Sequence, residues 1–257
     1  MMSNKVPSWS LLLILFLASC QSTTVQRLAK ARPAAVSPFL DQRWAMRPMR
    51  QRLPFHYVWA TTDPRVQNAV ASSTELYIAP VDLRYLRPIR KPLVKWEVRN
   101  GLIRTRETEM AAELRARIAQ AFTRSPRFRL VTAPTKNSVT LALAITELTP
   151  TSVKGNAVKL AAKFTVGPLS GLLSVFTKGN IAIEGKFLVS VNGKSESYLQ
   201  FSDNEKDKMT FYSVRDFQPY EHARVAMNEW GLQLEEFTRT MGNHQVKESS
   251  FVTLKPW

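Results

Sequence analysis

Hydrophobic positions along this chain follow two periods, and the changes of period mark its elements. Leu76-Tyr77-Ile78-Ala79-Pro80-Val81 is a short apolar run ended by a polar, proline-containing stretch, which predicts a first strand after Glu75. From Glu107 to Arg124 the residues Met110, Leu114, Ile118 and Phe122 recur every four positions, the spacing of a helix with one buried face, and Pro126 forbids its continuation. Phe128 to Thr132 reads as a strand, Ala133 to Asn137 as a turn, and Ser138 to Leu148 as a long strand. There Val139, Leu141, Leu143 and Ile145 face one side while Thr140, Ala142, Ala144 and Thr146 face the other. The same alternation returns from Asn180 to Val191, and Asn192-Gly193 supplies a two-residue hairpin turn before a strand from Lys194 to Phe201. A closing helix runs from about Phe217 to Met241, with Tyr220, Ala223, Met227, Trp230, Leu234, Phe237 and Met241 spaced by threes and fours. Such a stripe packs on its own sheet or docks a partner helix, and three turns of heptad pattern favour the sheet. The expected fold is α/β: one domain over residues 75–242, a mixed sheet of about five strands, one helix after the first strand and a long C-terminal helix. Residues 243–257 form a tail.

Ahead of that domain the pattern changes character. Lys5 precedes the apolar run Leu11 to Leu17, and Ala18-Ser19 are small, the layout of a secretory signal over residues 1–19. The run is far shorter than the roughly 20 apolar residues that span a bilayer. Leu17-Ala18-Ser19-Cys20 resembles the lipobox of bacterial lipoproteins. That resemblance implies cleavage before Cys20, a diacylglycerol on its thiol and an acyl chain on its new amino group, which together anchor the protein to a membrane. Gln21 after the cysteine implies delivery to the outer membrane, facing the periplasm. Cys20 is the sole cysteine, so no intramolecular disulfide forms and acylation removes the only thiol nucleophile.

Residues 20–74 carry five prolines and little periodicity and read as a tether and wrapping arm, although Trp44, Phe55, Tyr57 and Trp59 require part of it to pack on something. Charge sharpens this picture. Of a net +16, Gln21 to Arg106 holds 16 Lys/Arg against 5 Asp/Glu, a net of +11, whereas Glu107 to Trp257 holds a net of +4. A basic segment beside an acylated end is drawn to anionic lipid, the alternative being a merely solvated arm.

Candidate chemistry is sparse. Three histidines (His56, His222, His244) and one cysteine give no metal-site spacing, so neither a metal nor another cofactor is expected. Asp203-Asn204-Glu205-Lys206-Asp207 invites a calcium-loop reading, but Lys208 stands where glycine is needed and Val214 where glutamate is, leaving a solvated loop. Gly167-Pro168-Leu169-Ser170-Gly171 lacks the symmetric glycines of a nucleophile elbow, and His222 falls at a helix start or surface. Export removes nucleic acid as a partner. The apolar insert 154–179 is broken at Gly167-Pro168, and as helix it places Lys159 and Lys163 on one face. Lys159, Lys163, Phe164, Leu172, Leu173 and Phe176 are therefore candidates for contact with membrane or partner, the competing reading being a flap over the sheet.

The lipobox, Tyr77-Ile78-Ala79-Pro80-Val81, Ala121-Phe122, the run Leu141 to Pro150, Gly179-Asn180-Ile181-Ala182-Ile183-Glu184-Gly185, Asp203 and Trp230 in the late helix occur in an order that resembles bacterial lipoproteins of the domain-of-unknown-function family 3313. More distantly the element order is similar to the amino-terminal domain of TolB and the periplasmic domain of the curli secretion lipoprotein, which are binding and assembly modules. The family has no established activity to carry over, and the leading expectation is a non-catalytic lipid-anchored envelope protein whose α/β domain binds another envelope component. Its partners would be the membrane through Cys20, and anionic lipid, a cell-wall polymer or another envelope protein. The alternatives are a cell-wall or lipid-modifying enzyme, and a ring- or pore-forming assembly that uses the insert.

Overall fold

The computed structural model describes residues 33–48, 53–101, 106–152, 179–206, 218–240 and 244–247, all within a compact unit that begins at Arg32. Ten elements follow in chain order: β1 Tyr57–Ala60, α1 Pro64–Ser72, β2 Glu75–Ile78, α2 Pro92–Arg99, α3 Glu107–Phe122, β3 Arg129–Val131, β4 Ser138–Thr149, β5 Asn180–Val191, β6 Lys194–Lys206 and α4 Glu221–Thr240. The strands form one mixed sheet in the order β1-β6-β5-β4-β2-β3. β2 runs parallel to β3 and β4, while β4, β5, β6 and β1 are successively antiparallel.

The α/β architecture and the C-terminal helix are as the hydrophobic pattern predicts, with a sixth strand added. That strand, β1, and helix α1 come from the segment expected to wrap as an arm. Asp63 caps α1 by accepting from the Arg65 amide at 2.9 Å, Pro64 presets its first turn, and Val66 and Val70 are buried. Helix α2 follows the polar, proline-containing stretch after the first predicted strand, with no helix predicted there; Pro92 opens it and Gly101 at φ 71° closes it.

Val139, Leu141, Leu143 and Ile145 lie in the main core, in one cluster with the buried residues of α1, α3 and α4. At Thr146 a bulge leaves one residue of β4 without a partner on β5, and this reverses the parity so that Leu148 also turns to the core. Asn192 (φ 51°) and Gly193 (φ 76°) both take the left-handed conformation that the β5–β6 hairpin turn requires. Met110, Leu114, Ile118 and Phe122 are all buried along α3. Helix α4 crosses α3 at Gly231, where a Cβ would stand 3.2 Å from the Arg117 carbonyl oxygen and 3.2 Å from the Ala121 Cβ. A side chain there would push the two helices apart.

A second glycine admits an aromatic. Gly185 on β5 faces Phe201 on β6, and a Cβ at 185 would fall 2.1 Å from the Phe201 ring. That ring stacks on Phe55 at 4.8 Å between centroids and has no room to retreat. Gly185→Ala is expected to cost about 2 kcal/mol through overpacking, measured by urea unfolding. Unchanged stability would mean that Phe201 can repack.

The opposite face of the sheet is covered by residues 33–48. Phe39, Leu40 and Met46 bury against Ala144, and Trp59, Tyr57 and Ala142 pack beside them. The Arg47 backbone exchanges hydrogen bonds with Val58 at 2.8 and 2.9 Å, so the strap also pairs with the outer edge of β1. This accounts for the aromatics in a segment with no periodicity of its own.

Candidate functional site

The strap is held by polar contacts that begin at Glu184. An acidic residue in the middle of an alternating strand is fully buried here, and Ser37 covers it, donating its amide to Oε1 at 2.6 Å and its hydroxyl to Oε2 at 2.5 Å. Burial pushes the Glu184 carboxyl above its ordinary range, while the two Ser37 bonds and the charge of Arg87 pull the other way. Further along, the Gln42 amide donates to Gln200 Oε1 at 3.0 Å, Lys186 Nζ sits 3.2 Å from Asp41 Oδ2 and over the Phe39 ring, and Arg87 donates to the Ala35 carbonyl at 2.7 Å. These contacts fix the chain downstream of Cys20 onto the sheet.

A second polar group lies at Ser152 and Gly179, the described residues on either side of 153–178. Ser152 donates to Glu97 Oε1 at 2.6 Å, with both residues fully buried. Thr151 Oγ1 is 3.2 Å from His222 Nδ1, and Thr151 also donates its amide to the Pro219 carbonyl at 2.7 Å. The His222 ring lies directly on Gly179, where a Cβ would meet it at 2.1 Å. Burial lowers the pKa of His222 to about 3, and nearby Lys91 adds to that, so the imidazole is neutral at pH 7. His222 therefore stands at the helix start, as expected, with its ring turned inward rather than to the surface. Glu97 Oε2 and His222 Nε2 have no hydrogen-bond partner among the described residues. Asn180 and Arg87 both bind the Glu147 carboxylate beside this group, the arginine at 3.1 Å.

A third cluster corrects the expectation of a solvated loop at Asp203. Strand β6 continues to Lys206, and Asp203 and Asn204 are buried. Asp203 tolerates burial because Trp230 donates its indole N–H to Oδ2 at 2.8 Å and the His56 amide donates to Oδ1 at 3.2 Å. The His56 imidazole lies 3.8 Å from the same oxygen, too far for a hydrogen bond. A His/Asp pair does come together here, enclosed in the core, where it ties the entry to β1 to β6 and α4. Among the described residues no group of three or more His, Cys, Asp or Glu side chains is placed to hold a metal ion.

An open groove of about 490 Å³ lies between α3 and the β2–β3 edge. Ala112, Ala116 and Ala119 line the helix side and Ile78, Val81 and Leu130 the sheet side. Arg115 at its margin donates Nε–H to the Ile78 carbonyl at 2.9 Å, which fixes the guanidinium beside an otherwise apolar trough.

No family model matches the chain, and no curated protein matches it. Among solved structures, a hypothetical protein of Chlamydia trachomatis determined at 1.65 Å is similar over 65% of this chain and 98% of its own, with 12% identity and a TM-score of 0.36. At that distance the likeness carries no functional argument. Of the candidates read from sequence, Cys20, Lys159, Lys163, Phe164, Leu172, Leu173 and Phe176 lie outside the described residues. Among the described residues, no helix is long and apolar enough to cross a membrane.

The buried clusters had no local signal. Glu97 and Ser152 are 55 residues apart, Thr151 and His222 71, and His56 and Asp203 147. Only Glu184 carried one, as a carboxylate amid Ile181, Ile183 and Phe187 on an alternating strand.

Proposed function

We propose that this chain is a lipid-anchored lipoprotein of the bacterial cell envelope, acylated at Cys20 in the outer membrane and facing the periplasm, whose α/β domain binds another envelope component without catalysis. The observation that carries the reading is Leu17-Ala18-Ser19-Cys20 closing a short apolar run behind Lys5. Twelve residues separate Cys20 from Pro33, where the described strap begins, and such a stretch reaches at most about 45 Å. An acylated Cys20 would thus hold the domain close to the bilayer. The contact residues proposed are Lys159, Lys163, Phe164, Leu172, Leu173 and Phe176, on the insert rooted at Ser152 and Gly179.

Cys20→Ala is expected to leave the protein uncleaved, or soluble on fractionation, and to abolish labelling by a radioactive fatty acid. Membrane retention of a correctly trimmed, unlabelled mutant would refute the anchor. Photo-crosslinkers at Phe164 and Leu172, followed by mass spectrometry in the native host, test the binding role. A discrete crosslinked envelope protein is expected, and none at either position counts against the insert.

A further inference from the structure

Among large apolar side chains of the described residues, Trp44 is the most exposed, at 81%. Its position is built rather than incidental. The turn that carries it is closed by the Ala45 amide donating to the Gln42 carbonyl at 2.9 Å, and Gln42 is itself bound to Gln200 on β6. On either side Leu40 and Met46 are buried in the cluster on the sheet, so the flanks of the turn are pinned while the indole between them is held out in water. A single exposed ring is ordinary on a protein surface; what sets this one apart is its display from a pinned turn among cations.

The charges around the ring indicate what it meets. The Arg43 guanidinium lies over the indole, 5.0 Å from its centroid, and Arg47 binds the Trp44 and Met46 carbonyls at 3.3 and 2.7 Å. The one carboxylate in the turn, Asp41, is paired with Lys186. Trp44 is thus an amphipathic ring set among cations. Indole rings favour the headgroup level of a bilayer, where apolar and polar surroundings meet, and arginine favours anionic lipid. The turn also stands 24 positions from Cys20, inside the Gln21 to Arg106 stretch that carries +11 of the protein's net +16 charge.

We infer that Trp44, with Arg43 and Arg47, is a membrane-interface anchor that inserts its indole at the headgroup level of an anionic bilayer and sets the strap-covered face of the sheet toward it. This deepens the envelope reading and rests on it for the bilayer's presence in the cell. The proposed contact is made by residues 43–47, within the second compact unit, and does not involve Cys20.

The test uses the chain from residue 20 onward with Cys20→Ser, which cannot be acylated, floated with vesicles of phosphatidylcholine alone or with one-third phosphatidylglycerol. Binding to the mixed vesicles is expected, falling steeply with salt as the Debye length shortens. Trp44→Ala should weaken that binding about tenfold, by removing the apolar area that enters the headgroup region, and leave the thermal melt unchanged. The pair Arg43→Gln and Arg47→Gln should flatten the salt dependence. Wild-type binding to mixed vesicles that Trp44→Ala does not change would overturn the inference. So would equal binding to neutral vesicles. Loss of self-association on sedimentation in Trp44→Ala, with vesicle binding retained, would give the ring to a second protein copy and overturn it as well. None of these outcomes depends on the fractionation of Cys20→Ala, so the two proposals fail separately.

Discussion

Replacing Trp230 with alanine is expected to cost about 3–5 kcal/mol of folding stability, the range for removing a large aromatic from a packed core. Its side chain is fully buried on α4 and lies in the same core as Phe201, Ile118 and Leu143. It also carries a polar duty, because its indole N–H reaches the buried Asp203 carboxylate at 2.8 Å. Two variants separate these roles. Trp230→Phe keeps most of the apolar volume and removes only the donor, so its smaller cost, about 1.5–3 kcal/mol, reports the bond to a charged acceptor. Asp203→Asn should lower the cost of Trp230→Phe in a double-mutant cycle, since the two residues touch. Were the α4 stripe a docking seam, Trp230→Ala would leave the urea midpoint unchanged and abolish association instead. The buried stripe, with Gly231 admitting α3 at van der Waals distance, predicts the loss of stability.

The same helix shows what the chain discloses before folding and what it conceals. Its stripe from Tyr220 to Phe237 is written in steps of three and four, and the structure buries those positions as that spacing requires. Strand β4 and the Asn192-Gly193 turn are equally plain, for the period-two pattern and the left-handed turn are local properties. β1 was illegible because it is a four-residue edge strand with one buried side chain, Val58, between prolines that mimic a linker. Asp203 and Asn204 look like loop residues by composition, and only the arrival of Trp230 and His56 from distant segments makes the burial of Asp203 tolerable. Bonds formed across 147 positions of sequence leave no periodic trace. The strap falls between these cases: its aromatics announced packing, but nothing in its order named Glu184 as the residue beneath it.

Acidification is expected to destabilise the fold through His222, and the sign follows from where its proton can go. The folded-state pKa is about 3, against an ordinary 6.5, so between those values the unfolded chain takes up a proton that the folded chain refuses. Stability therefore falls as pH drops through this window. The full shift sets a ceiling of about 5 kcal/mol, reached only near pH 3, and about 3 kcal/mol should be lost by pH 4.5. The residue as a whole is only half-buried, but its Nε2 is shielded from solvent and its ring is closed over by Gly179, which is why neutral imidazole is preferred. Glu184 acts in the opposite sense. Its carboxyl is raised, so the folded state holds that proton more tightly than the unfolded chain, and acidification below neutrality stabilises the strap. A pH profile of the wild type alone would mix the two. His222→Asn keeps a group able to bond Thr151 and does not titrate, so the difference between wild type and His222→Asn isolates the histidine. Urea unfolding at pH 7 and pH 4.5 should show a wild-type loss about 3 kcal/mol larger than that of the variant. Equal losses in the two proteins would show that water reaches the His222 ring.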